Sequence, residues 1–164
     1  MKFPLAAERT INGSYGKLYV GATWLANIQR VEARITVERR EVKVAGTRHT
    51  GYKGMNVTGE GTITGLKVTD FWLKLVSRYM RDESSFIPPL TLQTTLADPE
   101  NGATESLDLV RCRFWEVPFG FQVNELVEEA IPFTFENINI HSCLGDDTEG
   151  YASGGDGANE CGEV

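Results

Sequence analysis

The segment Ile28–Val68 reads IQRVEARITVERREVKVAGTRHTGYKGMNVTGEGTITGLKV. Val31, Ala33, Ile35 and Val37 fall on one face and Glu32, Arg34, Thr36 and Glu38 on the other, the period of two that marks a half-buried strand. Glu38-Arg39-Arg40-Glu41 interrupts the pattern, and Val42 and Val44 resume it in the opposite phase. Four consecutive charges do not suit a core strand. A strand that leaves the domain body, bends or bulges, and continues as a projecting arm does suit them. Gly46, Gly51, Gly54, Gly59, Gly61 and Gly65 follow, with Thr58, Glu60, Thr62 and Thr64 along one face of the return strand. The arm, Arg39 to Gly59, buries little within its own chain, so its expected role is contact with something else.

On the N-terminal side, residues 1–12 show no period and read as an N-terminal arm. Asn12-Gly13 with Gly16 is turn chemistry, and Lys17–Val20 with Trp24–Ile28 is expected to form a hairpin around Gly21-Ala22-Thr23. On the C-terminal side, Thr69-Asp70 offers an N-cap to the one convincing helix, DFWLKLVSRYMR. Asp70, Lys74, Ser77, Arg78 and Arg81 form its polar stripe, and the remaining apolar arc is wide enough to cover a sheet and touch a neighbour.

Pro88-Pro89 introduces a strand through Leu90, Leu92 and Leu96, and Asp98-Pro99-Glu100-Asn101-Gly102 is a turn. Leu107 and Leu109 share one face while Val110, Cys112 and Phe114 share the other, which implies a bulge between them. Val117, Phe119, Phe121 and Val123 alternate as a further strand. Ile131–Ile140 is the last strand, with Pro132 pointing to an edge or a strand start. Seven or eight strands and a single helix make the chain mainly β: two antiparallel sheets as a sandwich or partly closed barrel, with a flanking helix.

The 164 residues carry a formal net charge of −7. Six carboxylates (Asp146, Asp147, Glu149, Asp156, Glu160 and Glu163) and no Lys or Arg lie in residues 142–164, so the body 1–141 is close to neutral. That segment, rich in Gly and acid, reads as a flexible tail, and residues 13–141 as one domain. A near-neutral body does not favour bulk attraction to nucleic acid. No apolar run reaches membrane-spanning length, and the N-terminus lacks a signal-peptide core. The chain therefore reads as made in cytoplasm, with no membrane anchor. The three cysteines lack metal-site spacing: Cys112 reads as a buried thiol, and Cys143 and Cys161 as free tail thiols or an intermolecular disulfide.

Catalytic chemistry is sparse. His49 and His141 stand in no recognisable nucleophile arrangement. The arm's glycines lack the Gly-Lys-Ser/Thr of a phosphate loop. Glu128-Glu129 would face opposite ways on a strand as a solvated pair, and Asp146-Asp147-Thr148-Glu149 lacks the full ligand series of a calcium loop. No enzyme, metal or cofactor is expected. The basic cluster Arg30, Arg34, Arg39, Arg40, Lys43, Arg48 and Lys53 is either an ordinary charged strand surface or an interface for acidic surface on another copy. A nucleic-acid grip ranks third, because Tyr52 is its only aromatic for stacking.

TINGSYGKLYV (Thr10–Val20), the charged strand, TGYKGMNVTGEGTITGLKVT (Thr50–Thr69), the helix and the closing EEAIPFTFENINI (Glu128–Ile140) together resemble the tail tube proteins of contractile phage tails. The likeness is greatest to those of PBSX-type defective prophages and covers about Arg9 to Ile140. The resemblance implies two packed antiparallel sheets with a flanking helix. It also implies hexameric rings that stack, inside a sheath and on a baseplate with a tape-measure protein, into a hollow virion tube assembled in the host bacterial cytoplasm. DNA would pass through the lumen without sequence-specific binding. Arg39, Arg40, Lys43, Arg48, His49, Tyr52, Lys53 and Met55 become the expected inter-subunit or inter-ring contacts. Glu32, Thr36, Glu38, Thr58, Glu60, Thr62 and Thr64 become candidates for the lumen lining. The acidic tail is longer than the family pattern; decoration of the outside, contact with sheath and plain disorder are the three readings open for it. The alternatives are the related tube of a bacterial secretion or injection apparatus and, from another class, a β-barrel for a small ligand.

Overall fold

The computed structural model describes residues 10–100, 102 and 104–142. Among them lie eight strands and one α-helix: β1 (Gly16–Val20), β2 (Thr23–Trp24), β3 (Ile28–Lys43), β4 (Thr50–Leu66), α1 (Phe71–Arg81), β5 (Leu90–Ala97), β6 (Thr104–Cys112), β7 (Glu128–Phe135) and β8 (Asn137–Ser142). One sheet has the order β2-β1-β5-β6-β8 and the other β3-β4-β7. β1 pairs antiparallel with β2 and β5, and β4 pairs antiparallel with β3 and β7. A mainly β chain with two antiparallel sheets and one helix is what the alternation predicted. The chain divides into two compact units, one around each sheet.

In the unit holding the five-stranded sheet, Tyr19 faces Trp24 and Val20 faces Thr23. The hairpin therefore turns on Gly21-Ala22 alone, with Gly21 at φ 59°, and β2 is two residues long. The expected run of this strand to Ile28 is corrected: the chain leaves the sheet after Trp24, and Ile28 starts β3. Leu18, Leu92 and Leu109 are buried. The Asp98 turn forms as its residue types require. The Asp98 carboxylate, 4% exposed, accepts from the backbone N–H of Asn12 at 2.8 Å and of Glu100 at 3.0 Å. Gly102 closes the turn at φ 67°, donating to the Asp98 carbonyl at 2.9 Å. His141, at the end of β8, lies 2.7 Å from the Asp108 carboxylate, a hydrogen-bond partner that spacing did not foretell.

In the other unit, β3 and β4 form the long hairpin. A register shift falls between Val37 and Arg39, where Glu38 faces both Met55 and Asn56, so the bulge expected at the charge break exists and its extra residue is on β4. The inner faces of β3, β4 and β7 meet in rows: Val31–Ile63–Ile131, Ala33–Gly61–Phe133 and Ile35–Gly59–Phe135. Two glycines are obligatory here. A Cβ on Gly61 would lie 2.4 Å from the Phe133 ring, and one on Gly59 would lie 2.5 Å from the Phe135 ring. The aromatic rings of β7 thus lie across a floor that only glycine leaves open.

Trp72 is the one buried residue of α1. It meets Phe114 at a tilt of 45° with 4.5 Å between ring centroids, Phe114 meets Phe133 at 5.8 Å, and Phe133 meets Phe135 at 6.2 Å. Burying each such ring stabilises by roughly 1.5–3 kcal/mol, so this chain of rings anchors the helix. The helix's remaining apolar arc is not filled: Phe71, Tyr79 and Met80 are exposed. Asp70 occupies the N-cap position but makes no side-chain cap; its carboxylate lies 3.4 Å from Lys67 Nζ instead.

Three further expectations are corrected. Residues 117–123 form no strand; Phe119, Phe121, Val123 and Leu126 are exposed, and Asn124 turns the chain at φ 68°. Alternation needs a neighbouring strand to become a ladder, and none of the described residues supplies one. The single strand over 131–140 is two, broken at Glu136, with β7 in one sheet and β8 in the other. Glu128 and Glu129 do face opposite ways, but Glu129 is buried, 3.6 Å from Lys67 Nζ. By contrast, Pro132 sits in an edge strand as predicted, and Cys112 is a buried free thiol. The phase switch in β6 falls at Arg111, held at φ 57° with its guanidinium 2.6 Å from Glu136. Cys143, Cys161, the acidic tail and residues 1–9 lie outside the described residues.

Candidate assembly surfaces

Two surfaces emerge from the β3–β4–β7 sheet, because strand alternation sends odd and even positions to opposite sides. On the side away from the ring row lie Glu32, Arg34 and Thr36 of β3, facing Thr62, Glu60 and Thr58 of β4. Thr64, Thr62 and Glu60 then face Ala130, Pro132 and Thr134 of β7. The six lining candidates Glu32, Thr36, Thr58, Glu60, Thr62 and Thr64 are therefore one continuous face. Glu38 continues it at the bulge, where its carboxylate accepts from Asn56 at 3.1 Å.

Arg34 belongs to this face as well, and the expected set omitted it. Its guanidinium is 3.0 Å from the Glu60 carboxylate, and Arg30 pairs with Glu32. Both guanidiniums of the sheet body are thereby matched to a carboxylate. Charge alternation along β3 signalled Arg34, but only the cross-strand register shows its partner. Trp115 is a second omission. Its indole N–H donates to Thr134 Oγ1 at 3.1 Å, and it walls an open groove of about 730 Å³ shared with Glu32, Arg34, Glu60, Thr62 and Thr134. Glu116 and the Phe133 ring line the groove as well; no group of three or more His, Cys, Asp or Glu that could hold a metal occurs among the described residues.

The second surface is the outer part of the hairpin. Beyond the bulge, Arg39 faces Gly54, Arg40 faces Lys53, Glu41 faces Tyr52 and Lys43 faces Thr50. Arg39 lies over the Tyr52 ring at 4.9 Å, and Lys43 Nζ is 3.9 Å from Glu41. Arg48 and His49 lie in the connection between the strands, where the His49 N–H donates to Thr47 Oγ1 at 3.1 Å. Met55 is at the bulge. The eight expected contact residues thus gather on one element but not on one face: Arg39, Lys43 and Tyr52 share a side, and Arg40 and Lys53 share the other. The hairpin also exposes Ile35, Val37, Val42, Val57 and Met55. β3, sixteen residues long, is the edge of its sheet, a row of backbone donors and acceptors with no further strand beside it among the described residues. Exposed Phe119, Phe121 and Val123, which sequence alternation read as a strand, form a further apolar area, and exposed Leu126 follows them.

Comparison with known proteins gives the family. A family model described as Phage tail tube protein matches residues 4–141. The PBSX phage-like element protein XkdM of Bacillus subtilis (strain 168) is 34% identical over 145 residues, covering 87% of this chain and 97% of that protein. YqbM of the same strain is 34% identical over 139 residues, covering 83% of this chain and 93% of YqbM. Among solved structures, the fold is similar to a chain of the PVC sheath-tube complex of an extracellular contractile injection system, with a TM-score of 0.65 at 8% identity, covering 84% of this chain and 95% of that one. It is also similar to the tube terminating cap of the anti-feeding prophage, with a TM-score of 0.62 at 10% identity, covering 87% of this chain and 94% of that one. The chain belongs to the phage tail tube protein family, whose members are structural subunits of a tail tube and not enzymes.

Proposed function

We propose that this protein is the tube subunit of a contractile phage tail or phage-like particle, forming hexameric rings that stack into a channel for DNA. The observation that carries this reading is the sixteen-residue edge strand β3 with its exposed apolar hairpin. A long open edge invites pairing with another chain, and ring closure gives every copy a neighbour at that edge. Residues 13–141 serve as the tube domain, and the hairpin from Arg39 to Gly59 reaches the adjacent subunit or ring. His49, Tyr52 and Met55 lie beside the arm's cations in that contact. The N-terminal segment 1–12 makes similar stacking contacts. Sheath, baseplate and tape-measure proteins are the partners that such a tube requires, and assembly takes place in the host cytoplasm. The structural likeness to a chain of a sheath-tube complex supports the sheath as neighbour.

The face of Glu32, Thr36, Glu38, Thr58, Glu60, Thr62 and Thr64 lines the lumen. Pairing of Arg30 and Arg34 with carboxylates suits that role, because an unpaired guanidinium would bind phosphate and hold the DNA in transit. A tube of a bacterial injection apparatus is the second reading, favoured by the same fold likeness; it shares the assembly and differs in cargo.

Negative-stain electron microscopy at low and high protein concentration tests the assembly. Rings or hollow tubes are expected at high concentration. Excision of residues 40–53 with closure by a two-residue turn keeps the Val37–Val57 pairing and should give rings that no longer stack. A monomer at every concentration, also when baseplate-containing lysate is added, would refute the reading.

A further inference from the structure

Between Arg39 and Lys53 the hairpin carries five cations (Arg39, Arg40, Lys43, Arg48 and Lys53) and one carboxylate, Glu41. Glu41 is already beside Lys43. Arg40 and Lys53 are direct cross-strand partners, a placement in which like charges repel and destabilise the ladder. Among the described residues, Arg40, Arg48 and Lys53 have no ion-pair partner. An opposed pair of cations at a solvent-facing tip is one half of an electrostatic contact, and its complement must bring several carboxylates on a short segment.

The chain itself contains such a segment. Residues 143–164 hold six carboxylates and no Lys or Arg, and they lie beyond the family match, which ends at 141. They are attached at Ser142, the last residue of β8. Fully extended, they reach about 70 Å, enough for the same copy or a neighbouring one. We propose that the acidic segment 143–164 docks on the basic tip of the β3–β4 hairpin, with its carboxylates seated against Arg40, Arg48 and Lys53. The inference stands on the charges alone and does not depend on ring geometry. It implies that the tip is neutralised in the free protein, and that any other acidic partner of the hairpin competes with the tail.

Zero-length carbodiimide cross-linking of the full-length protein, read by mass spectrometry, tests it through Lys43 and Lys53. These two should join to Asp146, Asp147, Glu149, Asp156, Glu160 or Glu163 several-fold more often than Lys17 or Lys74 do. The yield should fall about fivefold between 0.1 and 1 M salt, as the screening length shrinks from about 10 to about 3 Å. Arg40→Glu with Arg48→Glu should lower it while keeping both lysine reporters. The Lys67–Glu129 link, with Nζ 3.6 Å from the carboxylate, reports an intact fold in every sample. Should the double variant lose that link, the wild-type comparison among lysines and its salt dependence still decide. Mixed isotope-labelled protein tells whether tail and tip belong to one copy or to two, and either result upholds the docking. Tail carboxylates that join Lys17 and Lys74 as often as Lys43 and Lys53, or join nothing while the Lys67 link forms, would overturn it.

Discussion

Alanine at Gly61 tests the packing of β7 on β4 directly. The new Cβ would sit 2.4 Å from Phe133 Cζ and 2.5 Å from the Glu32 carbonyl oxygen. The ring is fully buried, and the carbonyl belongs to the β3 ladder beside it, so neither can give way cheaply. Overpacking of this kind costs about 1–3 kcal/mol. Because one clash is with backbone, the upper part of that range applies, offset by about 0.4–1 kcal/mol from the stiffer unfolded chain. The net loss is about 2 kcal/mol, or a fall in Tm of about 4–8 °C for a domain of this size. Gly59→Ala should cost less, since its three nearest atoms all belong to the Phe135 ring. Adding Phe135→Leu should recover part of the loss, with a coupling of about 1 kcal/mol. Gly120→Ala, with nothing within 4 Å of its Cβ, is the control and should change stability by less than about 0.5 kcal/mol. Urea unfolding, at a concentration where light scattering reports one particle size, keeps assembly out of the measurement. A Gly61→Ala protein within about 0.5 kcal/mol of wild type would refute the glycine-floor argument.

Three other substitutions address separate parts of the molecule. Glu38→Lys with Glu60→Lys frees Arg34 and adds cations to the proposed lumen face; rings should form while DNA delivery fails, and normal ejection would remove the lining assignment. Asp98→Ala removes the acceptor of two backbone N–H groups and should destabilise by about 1–3 kcal/mol, a loss that an unchanged urea midpoint would contradict. The Asp82 carboxyl is held below its ordinary value of 3.8, first by the Ser84 hydroxyl and then by the Ser84 N–H. A depressed carboxyl contributes stability above its unfolded value that is lost as pH falls through its folded one. Ser84→Ala should therefore raise the midpoint of the Asp82 NMR titration, and an unmoved midpoint would show that the hydroxyl is irrelevant.

Much of the fold was legible because alternation locates strands, although the face it marked as half-buried in β3 is exposed from Ala33 onward. Val31 to Val37 and the charges at 38–41 were enough to locate β3, β4 and a bulge between their halves. Which strand carries the bulge was not legible, because that depends on Glu38 meeting Met55 and Asn56 together. The same logic failed at 117–123, since alternation describes one strand and says nothing about whether a neighbour exists. The break at Glu136 was hidden because β7 and β8 are both apolar-patterned and only their pairing separates them. On the lining face, the threonines and glutamates were readable one by one. The pairing of Arg34 with Glu60 requires knowing that residues 26 positions apart are cross-strand neighbours, which is a property of register and not of composition.

The glycine floor also sets a timetable for synthesis. β3 and β4 are adjacent in sequence and can pair as soon as both have left the ribosome, but the rings that cover Gly59 and Gly61 belong to Phe135 and Phe133. At 5–20 residues per second, the about 70 residues between them take roughly 4–14 s to make. Throughout that interval the hairpin stands with its inner face open, Val31 and Ile63 included. Slowing translation between β4 and β7 would lengthen the exposure of a strand-forming apolar surface, so codon usage over residues 67–127 becomes a determinant of soluble yield.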